Sequence, residues 1–249
     1  MFTMVAYEST ASLAVLTALT PVPDGTVAVI GNDIRVPAAL PYAVGAAAVI
    51  NSSAATLRMQ LVSPSLRAIF PVDMSPITNG TFVNGVNNTM NLWFTPLPLV
   101  ALEPLDVFAQ NAAAVLNRAL VWFGDGPVKP TIGKIYTIRA TASATLVTAT
   151  WVNSGSLTFA STLPAGHYQL VGLRSWSANQ CAARVFFVGY QWRPGVAATQ
   201  TEGGNDPLYQ RYGQLGVFGE FDNTVPPTID FLGATDTAET MYLDLIKTS

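Results

Sequence analysis

One histidine, one cysteine and 15 carboxylates are what this 249-residue sequence offers to acid–base, nucleophilic or metal chemistry. His167 follows a Pro-Ala-Gly turn at the entrance to an apolar run, which suits a surface or edge side chain rather than a catalytic base. A metal site would rest on carboxylates alone, and no Asp-x-Asp or Glu-x-x-His cluster is present. Cys181 stands beside Ala182 and Ala183 and reads as a small buried hydrophobe. A lone cysteine also rules out an intrachain disulfide. The phosphate-cradling pattern Gly-x-x-x-x-Gly-Lys-Ser/Thr and the nucleophile pattern Gly-x-Ser-x-Gly are both missing. Two acid pairs remain, Asp106 with Asp230 and Glu220 with Asp222, as the carboxylates a hydrolase would need. Each is more simply a solvated or strand-end charge. No catalytic, cofactor-binding or metal-binding residue is assigned, and the expectation is a protein that is not an enzyme and carries no cofactor.

Trp176, Tyr190, Trp192, Tyr209, Tyr212 and Phe218 are of the right type to stack on sugar rings. Their alternation with Val, Leu and Gly makes most of them core or interface residues. A β-sandwich carbohydrate-binding module or adhesin is therefore the alternative to a structural role.

The elements that would position these residues are strands. Between Leu163 and Gly195 two apolar runs, HYQLVGLRSW and ARVFFVGYQW, are bounded by Pro-Ala-Gly and Arg-Pro-Gly, with Ser-Ala-Asn-Gln between them. That is two strands and a turn. A weaker copy lies upstream, where Leu40-Pro41 answers Leu163-Pro164 and Gly45 answers Gly172. Asn51-Ser52-Ser53 answers Ser177-Ala178-Asn179, and Arg58 and Arg67 precede Arg184 and Arg193 by one common offset. Leu105-Asp106-Val107-Phe108-Ala109 likewise resembles Ile229-Asp230-Phe231-Leu232-Gly233. A period of about 125 residues is too long for a solenoid repeat and fits a whole domain used twice.

Composition narrows the class further. Hydrophobic residues make up 50% and charged residues 11%, where a typical soluble domain carries about 25% charged. Such a chain has too few charges to cover an isolated surface, so sister subunits are expected to cover part of it. The net charge of −3 and the absence of any positive side chain before Arg35 exclude a basic arm and direct, sequence-specific nucleic-acid binding. Residues 1–20 lack the positive start of a secretory leader and carry Glu8. The apolar run Val36–Ile50 is interrupted by Pro37 and Pro41 and is too short to span a bilayer.

In chain order, residues 1–23 are read as an N-terminal arm, with a short helix in TASLAVLTAL after Ser9-Thr10. Residues 24–127 form a first β domain and 128–249 a second, joined through Gly124-Asp125-Gly126-Pro127 and Lys129-Pro130. Each has short apolar runs bounded by Gly, Pro, Asn or Ser, at the spacing of a sandwich or barrel. Two long excursions, Phe70–Leu102 and the segment after Gly195, are expected to project at one end and to carry surface contacts rather than core.

The order Leu-Pro-Ala-Gly-x-Tyr-x-Leu-Val-Gly, a Ser/Ala/Asn turn, Ala-Ala-Arg-Val-x-Phe and Arg-Pro-Gly resembles the second jelly roll of double jelly-roll major capsid proteins. These build tailless icosahedral viruses of bacteria and archaea, in the adenovirus-like lineage. The resemblance is strongest over residues 145–195 and extends, through the repeat, over 26–125. It implies an all-β fold of two tandem eight-stranded antiparallel jelly rolls with long loops at one end. It also implies a homotrimeric, pseudo-hexagonal capsomer in a virion assembled in the host cytoplasm. The implied partners are further copies in the capsid lattice, penton or minor capsid proteins, and an internal membrane reached through the N-terminal arm.

Overall fold

The computed structural model describes residues 1–50, 57–67, 72–74, 76–78, 89–111, 113–176, 180–198, 208–233 and 238–249. Its regular structure is almost entirely β, and apart from one short pair the strands run antiparallel to their neighbours. The chain divides into two compact units, one of Phe2–Thr81 with Asn87–Pro127, the other chiefly Val128–Ser249.

The first unit contains β1 (Phe2–Ser9), β2 (Leu13–Ala18), β3 (Thr20–Val22), β4 (Val29–Ile30), β5 (Asp33–Arg35), β6 (Tyr42–Ile50) and β7 (Arg58–Val62). After a single helical turn, Pro64–Arg67, come β8 (Val72–Met74), β9 (Ile77–Thr78), β10 (Thr89–Asn91), β11 (Leu97–Pro98), β12 (Pro104–Asn111) and β13 (Asn117–Gly124). One sheet runs β10-β6-β13-β1-β3, and the other runs β4-β5-β12-β7-β8 with β2 also on β12. The Tyr7 hydroxyl on β1 donates to the Leu105 carbonyl on β12 at 2.5 Å, which fixes the two sheets face to face. β12 reads Leu-x-Val-x-Ala-x-Asn on its buried side, the period of a strand with one face in the core. β6 and β13 are buried along almost their whole length, and their runs of Ala, Val and Leu are continuous because both faces are covered.

The second unit contains β14 (Ile135–Ser143), β15 (Val152–Asn153), β16 (Thr158–Phe159), β17 (His167–Trp176), β18 (Gln180–Phe186), β19 (Gly195–Ala197), β20 (Gly219–Asp222), β21 (Thr228–Gly233) and β22 (Ala238–Lys247). Its sheets run β16-β14-β22-β17-β20 and β15-β21-β18-β19. Phe187, just after β18, packs on Phe221 of β20 at 6.4 Å between ring centroids, and Phe221 stacks on Tyr168 of β17 at 5.7 Å.

One order is used twice. The sheet path β1-β13-β6-β10 corresponds to β14-β22-β17-β20, and β2-β12-β7-β8 corresponds to β15-β21-β18-β19. In each unit the last strand lies inside this sheet, β13 between β1 and β6 and β22 between β14 and β17. The repeat extends to an irregularity. On β6 the register slips at Val44, just before Gly45, and on β17 it slips at Val171, just before Gly172. Both are β-bulges of one extra Val, and each following glycine lets another segment approach. A Cβ on Gly45 would sit 3.3 Å from Trp93 Nε1 and from the Met90 carbonyl. On Gly172 it would overlap the Asp244 carboxylate and lie 2.9 Å from Arg211 Cα and the Tyr212 nitrogen.

Three expectations need correction. Residues 2–22 do not stand apart as an arm: β1 is buried between β13 and β3, and β2 lies along β12 with Val15 and most of its other side chains exposed. TASLAVLTAL does not form a helix, because Leu13–Ala18 finds backbone partners on β12 that outweigh its local propensity. The described part of the first excursion is anchored as well as exposed: β9, β10 and β11 all pair with β6, and Trp93 and Leu99 are buried, while Phe94, Val100 and Leu102 face solvent. The sequence pairs Asn51-Ser52-Ser53 and Ser177-Ala178-Asn179 as matching turns; both lie outside the described residues.

Because Arg211 and Tyr212 lie directly over Gly172, Gly172→Ala should destabilise the protein by about 1–3 kcal/mol, the scale of overpacking. Gly45→Ala, with looser contacts, should cost less. Urea denaturation of the two variants checks the order; equal stabilities would contradict it.

Candidate functional site

The residues nominated for chemistry are held in structural contacts. His167 begins β17 with its side chain exposed and its Nδ1 3.5 Å from Asp222. Asp222 also accepts the Thr224 hydroxyl and amide, which hold its carboxyl below the usual range. Glu220 accepts from Gln169 at 2.7 Å. Glu220 and Asp222 sit two residues apart on edge strand β20, in contact with different partners on β17. Asp106 and Asp230 occupy the corresponding strands β12 and β21 of separate units, and their surroundings differ. Asp106, with burial as the larger cause and Asp33 as the smaller, pushes the Tyr7 phenol well above its ordinary pKa.

Asp230 is the hub of a buried cluster. It accepts from Asn153 Nδ2 at 2.8 Å and from Arg184 at 3.3 Å, and Arg193 Nε lies 3.9 Å away. The Arg184 guanidinium lies 3.6 Å from the centre of the Trp151 ring, and that of Arg193 lies 3.7 Å from the Phe186 ring. These are cation–π stacks in a desolvated place, where they are strongest. With two guanidiniums and an amide on it, Asp230 ties β21 to β18 and β15. Cys181 lies on β18, and the surroundings of its side chain fall outside the described residues.

Two further buried charge pairs carry no motif in the sequence. Arg118 on β13 meets Glu8 on β1 at 2.6 Å, with both side chains almost wholly buried. Asp244 on β22 receives Arg211 at 2.5 and 2.8 Å, the Tyr212 amide at 3.0 Å and the Thr137 hydroxyl at 2.6 Å. Removing one member of such a pair leaves an uncompensated buried charge and typically costs about 3–5 kcal/mol. The available signal is a single charge inside an apolar strand, as in NRALVWFG or TMYLDLI, because charge is rarely buried unless paired.

The aromatic residues nominated for sugar stacking differ in burial and in contacts, and Tyr209 is half-buried. Phe218 is core, Tyr190 leans on Phe187, Tyr212 lies against the Arg211 guanidinium, and Trp176 and Trp192 are half-buried in other places. A cavity of about 320 Å³ is lined by Leu157, Phe159, Ser161, Thr162, Leu163, Asn223 and Pro226, none of them titratable. Among the described residues no group of three His, Cys, Asp or Glu side chains is placed to hold a metal ion, and no helix is long and apolar enough to cross a membrane.

The molecule instead presents exposed apolar surface and open strand edges. Val15 on β2, Phe94, Ile132 and Tyr136 on β14 all face solvent, Ile132 at 97% exposure. Among the described residues the outer side of β14 is paired by β16 at Ala140 and Thr141, and the Ala160 amide donates to the Arg139 carbonyl. No protein-family model matches the chain, and comparison with curated proteins and solved structures finds no similar one.

Glu103 supplies a pH test of the polar scaffold. Burial raises its pKa, but hydrogen bonds from Ser63, Ser65 and the Val100 and Ser65 amides outweigh that and hold it below the ordinary value. Its folded pKa is thus depressed, so its contribution is present above about pH 4.3 and lost as pH falls through the folded value. Glu103→Gln should cost about 1 kcal/mol at pH 7, discounted for partial exposure, and the gap to the parent should be narrower at pH 3. Urea denaturation at the two pH values checks this; a gap that widens in acid would contradict it.

Proposed function

We propose that each unit is an eight-stranded jelly roll and that the chain is a double jelly-roll major capsid protein. Counting β1, β2, β6, β7, β8, β10, β12 and β13 as the eight main strands of the first unit, and β14, β15 and β17–β22 as those of the second, one sheet has the order first, eighth, third, sixth and the other second, seventh, fourth, fifth. Interlocking of this kind is how two Greek keys form a jelly roll, and its occurrence twice in one chain is the observation that carries the reading. Fold alone does not assign function; the surface adds the second support. Ion pairs at Asp230, Asp244 and Glu8 take much of the small stock of charge into the interior. An outside this poor in charge, with Ile132, Val15 and Phe94 exposed, suits a subunit whose faces are covered by its own kind.

On this reading the chain assembles as a homotrimer whose six similar rolls approximate a hexagon, and the trimers tile an icosahedral shell. Many modest contacts repeated over a closed shell make it stable together. The place of action is the virion, after assembly in the host cytoplasm, with penton or minor capsid proteins as the other partners.

Light scattering on the purified chain at micromolar concentration should give the mass of three chains or more, with no glycan affinity. A monomer that binds glycans, and loses that affinity on Trp192→Ala or Tyr209→Ala without unfolding, would replace this reading with a sugar-binding module.

A further inference from the structure

The sequence Gly-Asp-Gly-Pro-Val-Lys-Pro runs from Gly124 to Pro130, and the division between the two units falls after Pro127. The residues just beyond it meet a loop of the second unit, residues 208–216. Thr131 donates its amide to the Gly213 carbonyl at 2.8 Å. Gly213 and Gly216 are both buried and both left-handed, with φ of +78° and +73°. A Cβ on Gly213 would overlap the Thr131 carbonyl oxygen, and one on Gly216 would lie 2.7 Å from that of Lys129. Two glycines three residues apart therefore bring loop backbone onto linker backbone at two points.

The loop is itself fixed to the sheet beneath it. Asp244 of β22 holds the Arg211 guanidinium and the Tyr212 amide. The next amide, that of Gly213, donates to the Val171 carbonyl at 2.7 Å. Val171 is the bulged residue of β17, and a bulge leaves its extra residue outside the ladder, so this carbonyl can accept from a covering segment. The first unit uses the same acceptor: the Leu92 amide donates at 3.2 Å to the carbonyl of Val44, the bulged residue of β6. In the second unit the docked residue passes the contact on, since Gly213 takes Val171 on its amide and Thr131 on its carbonyl.

We propose that residues 208–216 are a clasp that folds Lys129–Thr131 into the second unit and confines the junction between the units to Asp125–Val128. On the first unit's side Gly124 ends β13 in a tight place, its Cβ position lying 2.6 Å from the Val44 side chain. Four residues, one of them Pro127 with its fixed φ, then connect two held points. A junction of four residues has less conformational freedom to lose on assembly than the seven of Gly124–Pro130. The clasp is a contact within one chain, so it stands or falls independently of the capsid reading.

Amide hydrogen exchange followed by NMR on the full chain tests this at Thr131. In the parent that amide should exchange about tenfold or more slowly than in an unstructured peptide of the same sequence. Gly213→Ala should remove most of this protection while the amides of β17 and β22 keep theirs. Gly189→Ala is the control: Gly189 has a similar φ of +83° but nothing within 4 Å of its Cβ position, so Thr131 should be unaffected. If Gly213→Ala does not fold, Gly216→Ala, which meets Lys129 instead, should act in the same direction; if neither folds, the parent's own protection decides. A parent whose Thr131 amide exchanges at the peptide rate would overturn the clasp. So would a folded Gly213→Ala that keeps the protection, or a Gly189→Ala that loses it equally. Protection lost to the same degree across β17 and β22 would mark the loop as part of the unit's common core and overturn it too.

Discussion

The last strand of each unit has to be inserted between its first and third strands. β13 closes the gap between β1 and β6, and β22 closes the gap between β14 and β17. Neither sheet exists as a continuous surface until the end of the unit's chain is in place. Each closing strand brings a charge into the interior as it does so. Arg118 must find Glu8, and Asp244 must find Arg211, Thr137 and the Tyr212 amide, because a buried charge left alone costs several kcal/mol. The polar contacts therefore act as a register check on strands that are otherwise Ala, Val and Leu. A one-residue slip would turn every side chain to the wrong face and strand the charge.

The third strand of each unit supplies the complementary device. A Val bulge followed by glycine lets a loop segment lie against the sheet: Trp93 over Gly45 in the first unit, Arg211 and Tyr212 over Gly172 in the second. In the second unit bulge and charge meet, since Gly172 is opposite Asp244 and Asp244 holds the loop that covers it. The long excursions are thus anchored onto the sheets rather than hung from their ends.

The repeat was legible because such devices need particular residues. Gly45 and Gly172 align since only glycine fits under a crossing segment, and Leu105-Asp106 aligns with Ile229-Asp230 since both begin the strand before last. Equivalent positions did not share environments, however. Arg184 is buried on Asp230, whereas Arg58 is half-exposed on Asp73. The N-terminal segment resembles an unattached arm locally because, apart from Glu8, it is uncharged and its strand partners lie far along the chain. The Glu8–Arg118 and Asp244–Arg211 pairs were not foreseen, since partners separated by a sheet's worth of chain have no spacing rule. Of the acids that sequence nominates, Asp230, Glu220 and Asp222 are bound to arginine, asparagine, glutamine or threonine, partners that no local spacing announces.

On the proposed reading, copies of this chain cover one another in a shell. Electron microscopy of the purified, assembled protein addresses that claim most directly. The account predicts particles or sheets tiled with pseudo-hexagonal capsomers, three chains to each, with two similar densities per chain. Dispersed single molecules with every side in water, under conditions where the chain is folded, would contradict it.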